Sequence, residues 1–407
     1  GSRSVVGLAL GMAALFFAIV AILINTPILF YMGTALIATI GASRLQAWLS
    51  VRGLRFQREA PDAAKVGDVV TIQIVVWSER KLRRPLVTVS DALPGRLYYA
   101  DKTVSTPIAP AFDLPIRTQY QFRPLRRGVF RWSGIEVVGT DALGLVVMSK
   151  TYQTDPVELT VLPRPIPIQV ELPVAMGWGI SEAESGQSRG AGLEPRGVRE
   201  YSSGDSLRHV HWTSTARRGQ LLVKEFEAGS HSAASIMLQR AQGSELGSGA
   251  DTSLERMCGN AVFLAERLMQ QGSMVWFPGL EEKPRRSSGT ERLNEIYELV
   301  AKIQADRPTS LSDEISALLP NLPPGSLLIV MISVPDPGLV GLGRQLKGLG
   351  IQMVTLVYAE PRGNRPSEQR ANTSRKEIED LPMANFIGNL ESVGTIVHRV
   401  DAEGESQ

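Results

Sequence analysis

From Ser4 to Ser43 the chain carries no charged residue. A water-soluble core rarely needs so long an uncharged stretch, and a bilayer does. Val5 to Ile24 is one apolar run, which as a helix reaches roughly 30 Å, the thickness of the hydrocarbon core. Asn25, Thr26 and Pro27 supply a tight polar turn, with Pro27 suited to the first position of the next helix. Ile28 to Ala42 makes a second, shorter span that Leu45, Ala47, Trp48 and Leu49 extend into the interface. A signal peptide predicts a basic start, one short apolar core and a small-residue cleavage site, and leaves the second run unexplained. The expectation is therefore a transmembrane helical hairpin over residues 1–50.

Charge sets the expected orientation. Arg3 precedes the first span, Arg44, Arg52, Arg55 and Arg58 follow the second, and the turn between them is uncharged. Positive residues stay inside, so both ends and the rest of the chain are expected in the cytoplasm, with Trp48 as an interfacial anchor. The single cysteine, Cys258, rules out a disulfide framework within the chain and fits a reducing compartment. With 43 basic against 41 acidic residues, the composition lacks the basic excess of a nucleic-acid binder. At 407 residues the chain exceeds one ordinary core, so two soluble domains are expected.

Hydrophobic periodicity divides the soluble part. Val69 to Trp77, Leu86 to Val89, Arg117 to Phe122, Val129 to Val138 and Val157 to Val161 are rich in β-branched residues and separated by Pro and Gly. They predict an all-β sandwich over residues 51–165. Within it, Phe122 to Phe130 places three arginines near a turn, read as a solvated turn. Residues 166–230 read as a linker and a polar signature segment, with Ser181 to Gly192 as a Gly/Ser-rich loop. Residues 231–407 alternate strands (233–238, 273–277, 327–332, 351–358, 395–400) with helices (253–271, 291–303, 340–349). That alternation predicts a doubly wound α/β sheet. The charged stretches 279–289 and 361–376 are expected as loops.

Ordinary catalytic motifs are missing. Gly338 to Gly350 contains Gly341 and Gly343 but no third glycine at dinucleotide spacing, and no phosphate-loop pattern occurs. These glycines read as helix-packing positions. His209, His211, His231 and His398 have no cysteine or histidine partners at zinc spacing. Ser206 or Ser214 with His211 and Asp205 lies close in sequence, but no nucleophile elbow accompanies them. No cofactor is expected.

The segment Arg199 to Glu227 stands apart. Arg199, Glu200, Asp205, Arg208, Arg217, Lys224 and Glu225 alternate in sign around Tyr201, Gly204, His211 and Trp212. Such groups suit a paired-charge inter-domain clasp, where unpaired burial would be costly, or a partner-docking surface. Trp212 is expected as its apolar anchor.

This segment resembles the signature of the bacterial "domain of unknown function 58" family. The matching positions are Glu194, Arg199, Glu200, Tyr201, Gly204, Asp205, Arg208, His211, Trp212, Thr215, Ala216, Arg217, Gly219, Leu221, Val223, Lys224, Glu225 and Glu227. The resemblance implies a von Willebrand factor A-like α/β domain, an inner-membrane location, and partnership with MoxR-type AAA+ ATPases and other membrane proteins in assembly or maturation of complexes. Von Willebrand A-like domains often hold a divalent cation through D-x-S-x-S after the first strand, where oxygen ligands suit Mg²⁺ or Ca²⁺. Here that triplet falls on Gln239, Ala241 and Gly243, with Arg240 between. Ser333 and Asp336 are the remaining candidate remnants, and no bound metal is expected.

The resulting expectation is a non-enzymatic, membrane-tethered adaptor or scaffold. The alternatives are a small-ligand binder or enzyme using Asp205, His211 and Arg217, and a structural subunit of an envelope assembly.

Overall fold

A computed structural model describes residues 2–81, 86–102, 107–112, 114–173, 195–200, 212–226, 233–282, 289–323, 325–361 and 373–400. The chain forms two compact units, Gly1–Arg164 and Pro165–Gln407.

The first unit opens with an apolar helix pair, α1 (Ser2–Ile24) and α2 (Pro27–Ser50). Pro27 starts α2, and Asn25 takes a left-handed φ of 53° in the turn, a conformation asparagine tolerates better than most residues. Gly33 lets the two backbones approach: a Cβ there would lie 3.4 Å from both the Ala14 carbonyl oxygen and the Ala18 nitrogen. Ala14 and Ala21 are buried, the small-residue packing that apolar helices use against each other. Among the described residues, Pro27–Ser50 is long and apolar enough to cross a membrane, and the described apolar part of α1 is Gly11–Ile24. Helix α2 continues past the expected span to Ser50, because Ser43, Ala47 and Ser50 recur at helical spacing and are buried.

Among the described residues nine strands follow: β1 (Leu54–Glu59), β2 (Ala63–Lys65), β3 (Val70–Ser78), β4 (Val87–Asp91), β5 (Tyr99–Ala100), β6 (Pro107–Ile108), β7 (Ile116–Pro124), β8 (Gly128–Thr140) and β9 (Val147–Leu162). They build two curled sheets, β1–β3–β7–β5 and β2–β9–β8–β4–β6. One apolar core joins Ile72, Ile74 and Val76 of β3 to Val89, Ile135, Val137 and Leu159 of the other sheet. In β8 a register shift between Trp132 and Gly134 moves the buried positions from 130 and 132 to 135 and 137, as an irregular ladder does when it re-aims side chains.

A buried polar cluster crosses that core. Arg58 of β1 pairs with Asp91 of β4, and both side chains are essentially inaccessible. Asp91 also accepts from the Tyr120 hydroxyl at 2.7 Å and from Trp132 Nε1 at 3.2 Å. Arg58 donates in addition to the carbonyls of Trp132 and Gly134. Burial, then the negative Asp91 beside it, pushes the Tyr120 phenol well up. The four side chains come from both sheets, so they set how the sheets register.

In the second unit, β10 (Pro195–Glu200) pairs antiparallel with β11 (Leu222–Phe226), and helix α3 (Trp212–Arg218) lies between them in sequence. The α/β part comprises β12 (Ala233–Leu238), the short pair β13 (Gly247–Ser248) and β14 (Asp251–Thr252), α4 (Ser253–Gln270), β15 (Met274–Trp276), α5 (Thr290–Ala301) and α6 (Leu311–Leu318). It continues through β16 (Leu327–Ile332), α7 (Gly338–Gly348), β17 (Gln352–Tyr358), α8 (Thr373–Ser392) and β18 (Ile396–Val400). The parallel sheet runs β15–β12–β16–β17–β18. Helices cover both faces. Leu328, Val330, Ile332, Met353 and Val357 pack with α6, α7 and α8. On the opposite face the Tyr358 hydroxyl donates to Asn260 Oδ1 of α4 at 2.9 Å. Thr252 caps α4 through Glu255 N.

Helices α6 and α8 were not among the expected elements. Helix α6 is only eight residues long, and α8 contains Pro382, which normally argues against a helix interior. The expected loops at 181–192, most of 279–289 and most of 361–376 lie outside the described residues.

Candidate functional site

Two places warrant inspection: the carboxyl ends of β12 and β16, and the β10–α3–β11 segment. Within the parallel sheet β12 is flanked by β15, the next of its strands along the chain, on one side and by β16 on the other. This is a topological switch point, where open α/β sheets present a crevice for ligands.

Here the crevice is filled by its own side chains. Gln239, just past β12, accepts through Oε1 from Ser333 N and Val334 N, each at 3.0 Å, and donates from Nε2 to the Val334 carbonyl at 3.0 Å. The Ser333 hydroxyl donates to the Ser244 carbonyl. Asp336 accepts from Ser312 N at 2.8 Å, the Ser312 hydroxyl at 2.7 Å and Gly338 N at 3.2 Å. Its carboxylate therefore ties the first turns of α6 and α7, a favourable place for a negative charge. Arg240 is buried and pairs with Glu314 of α6 at 2.7 Å.

The expected degenerate triplet thus has specific occupants. The neutral amide of Gln239 bridges Ser333 and Val334. Ala241 brings no ligand. Gly243 has φ +81°, so a serine there would be strained as well as absent. Ser333 and Asp336 are committed to internal hydrogen bonds. Among the described residues, no group of three or more His, Cys, Asp or Glu side chains is placed to hold a metal. Gly338, Gly341, Gly343 and Gly348 fall in α7, where a Cβ on Gly343 would meet Thr395 Oγ1 at 2.9 Å, so Gly343 serves helix packing.

In the signature segment the strand register places Val198 opposite Lys224, Arg199 opposite Val223 and Glu200 opposite Leu222, with Gly197 opposite Glu225. For Arg199, Glu200, Lys224 and Glu225 the described feature is this backbone register. Tyr201, Gly204, Asp205, Arg208 and His211 lie outside the described residues. Thr215 and Gly219 acquire clear roles. Gly219, at φ +67°, donates to the Thr215 carbonyl at 2.9 Å and ends α3, a common helix stop. The Thr215 hydroxyl then accepts from Leu222 N at 3.1 Å, fastening α3 to β11. Trp212 departs from the expected apolar anchor: it is 67% exposed, while Leu222 is buried. Helix α3 buries none of its residues, and Trp212, Arg217 and Arg218 are each exposed.

Residues 197–324 match the family described as "Protein of unknown function DUF58". That match begins inside β10 and ends after α6, so it takes in most of the β10–α3–β11 segment together with Gln239 and Arg240, while Ser333 and Asp336 lie beyond it. No curated protein matches the chain. Among solved structures, a conjugative transposon lipoprotein from Bacteroides eggerthii DSM 20697 aligns at 11% identity, covering 26% of this chain and 98% of its own, with TM-score 0.17. A FixG-related protein from Vibrio parahaemolyticus aligns at 8% identity over 26% and 99%, TM-score 0.17. The CARDB domain of the PF1109 protein from Pyrococcus furiosus, solved with di-metal ions, aligns at 16% over 26% and 93%, TM-score 0.17. Scores at this level carry no argument about fold or function.

Proposed function

We propose that this protein is a non-enzymatic adaptor held at the bacterial inner membrane by the α1–α2 pair, with its soluble units in the cytoplasm. In this reading it cooperates with a MoxR-type AAA+ ATPase in assembling or maturing other protein complexes. The observation that carries the adaptor reading is the exposure of both Trp212 and Arg217 on α3, inside the family-matching segment. Exposed Trp and Arg are the side chains that most often anchor protein–protein interfaces. The hydrogen-bonded closure of the switch point supports it, since Gln239, Ser333 and Asp336 are already engaged. The ATPase partnership rests on the family resemblance.

The test uses the full chain in lipid nanodiscs and a purified MoxR-type ATPase from the same organism. Binding is measured by biolayer interferometry for the wild type and for Trp212→Ala and Arg217→Glu. The expected outcome is saturable binding weakened about tenfold or more by either substitution, with melting temperature unchanged. Absence of wild-type binding would remove the ATPase from the proposal. Collapse of the fold in both variants would return the segment to a structural clasp.

A further inference from the structure

The turn between β8 and β9 carries an apolar tip, of which Met148 packs against the core while Ala142, Leu143 and Val147 are exposed. From Ala142 to Met148 every residue is uncharged and non-polar, ALGLVVM. Leu143 at the apex is 65% exposed, Val147 is also exposed, and Ala142 and Gly144 are open to solvent. The turn itself is well made. Gly144, at φ +68°, donates to the Asp141 carbonyl at 3.1 Å, and the Asp141 carboxylate accepts from Leu143 N at 3.2 Å and Val146 N at 2.8 Å. So firm a turn holds Leu143 outward by construction.

Its position along α2 explains the exposure. Gly139 packs against Ser50 and Val51, the Ala142 amide donates to Gln46 Oε1 at 3.1 Å, and the Ser43 hydroxyl donates to Asp141. The turn therefore climbs α2 from Ser50 to Ser43, about 10 Å at the helical rise. Counting from Pro27, a hydrocarbon core of about 30 Å is used up near Gln46. Arg44 and Arg52 are exposed at this level, and Arg52 lies 4.1 Å over the Trp48 ring, the kind of basic and aromatic belt that sits among headgroups.

The geometry points to the β8–β9 turn as a second membrane contact: Leu143, flanked by Val147, enters the bilayer interface beside the inner end of α2. The occupant of this apolar tip is the bilayer that α2 itself enters, because the hydrogen bonds that Ser43 donates and Gln46 accepts hold the tip at that boundary. This rests on the reading that α2 crosses the membrane. A helix and a turn, locked together, would fix the sandwich's tilt as well as its distance from the surface.

The experiment uses the full chain in phospholipid vesicles containing anionic lipid, on a Cys258→Ala background. Single cysteines replace Leu143, Ile37 of mid-α2, or Val69, which is exposed near the opposite end of β8, and each carries an environment-sensitive fluorophore. Lipids with a quencher near the headgroup or near the chain end report depth. The expected result is quenching at 143 by the shallow quencher, about twofold or more above that at 69, and quenching at 37 by the deep one. Deep quenching at 37 without quenching at 143 overturns the turn's insertion and leaves the span standing. Loss of quenching at 37 overturns the span, and the proposal with it.

Discussion

Asp91 illustrates how one carboxylate can organise two sheets. It receives Arg58, Tyr120 and Trp132, none of which has water as an alternative. Removing one partner of such a pair strands the other, so Asp91→Ala is expected to cost about 3–5 kcal/mol in chemical denaturation of the full chain. Asp141 behaves differently. Burial alone would raise its pKa, but hydrogen bonds from Val146 N–H, the Ser43 hydroxyl and Leu143 N–H hold it below the ordinary 3.8. A depressed folded value gives stability that is present above the unfolded pKa and lost as pH falls through the folded one. Melting curves from neutral pH down through 3.8 should therefore show a steeper acid decline for the wild type than for Asp141→Asn. At the switch point, Gln239→Ala leaves Ser333 N–H and Val334 N–H without their acceptor. A loss of about 1–3 kcal/mol is expected, and millimolar Mg²⁺ should not raise the melting temperature of the wild type.

Among elements, the docking of α2 onto β8 is the most exposed to test. A Cβ at Gly139 would collide with Ser50 Oγ and lie 2.8 Å from Val51 Cγ1, and the end of α2 has little freedom to yield because Tyr152 donates to the Val51 carbonyl at 2.7 Å. Gly139→Ala is expected to destabilise by about 1–3 kcal/mol through overpacking. It should also open the 51–53 junction to limited proteolysis. If melting and cleavage match the wild type, α2 is not fastened there. The α3–β11 joint is a milder case: Thr215→Val removes the acceptor for Leu222 N and should loosen α3 while leaving the parallel sheet intact.

For the molecule as a whole, the two-pass reading makes a topological prediction. Arg44 near the end of α2 and Arg52, Arg55 and Arg58 after it should lie on the cytoplasmic side. Protease added to sealed spheroplasts should leave the chain intact, and protease added to inverted vesicles should release the soluble units. Cleavage in spheroplasts would overturn the orientation.

Local patterning made much of this legible. Charge-free length announced the helix pair, and β-branched runs with period-two burial announced β3, β7 and β8. Alternation of short apolar strands with amphipathic helices, though incomplete before β18, announced the parallel sheet. These signals survive in sequence because each depends on neighbours a few residues away. What periodicity could not supply were partners distant along the chain. Gln239 bridges Ser333 and Val334, Asp336 ties α6 to α7, Arg58 finds Asp91, and Ser43 and Gln46 hold the β8–β9 turn. The exposure of Trp212 and Leu143 is of the same kind. An apolar residue is buried or presented according to what the fold brings over it, and composition alone carries no record of that.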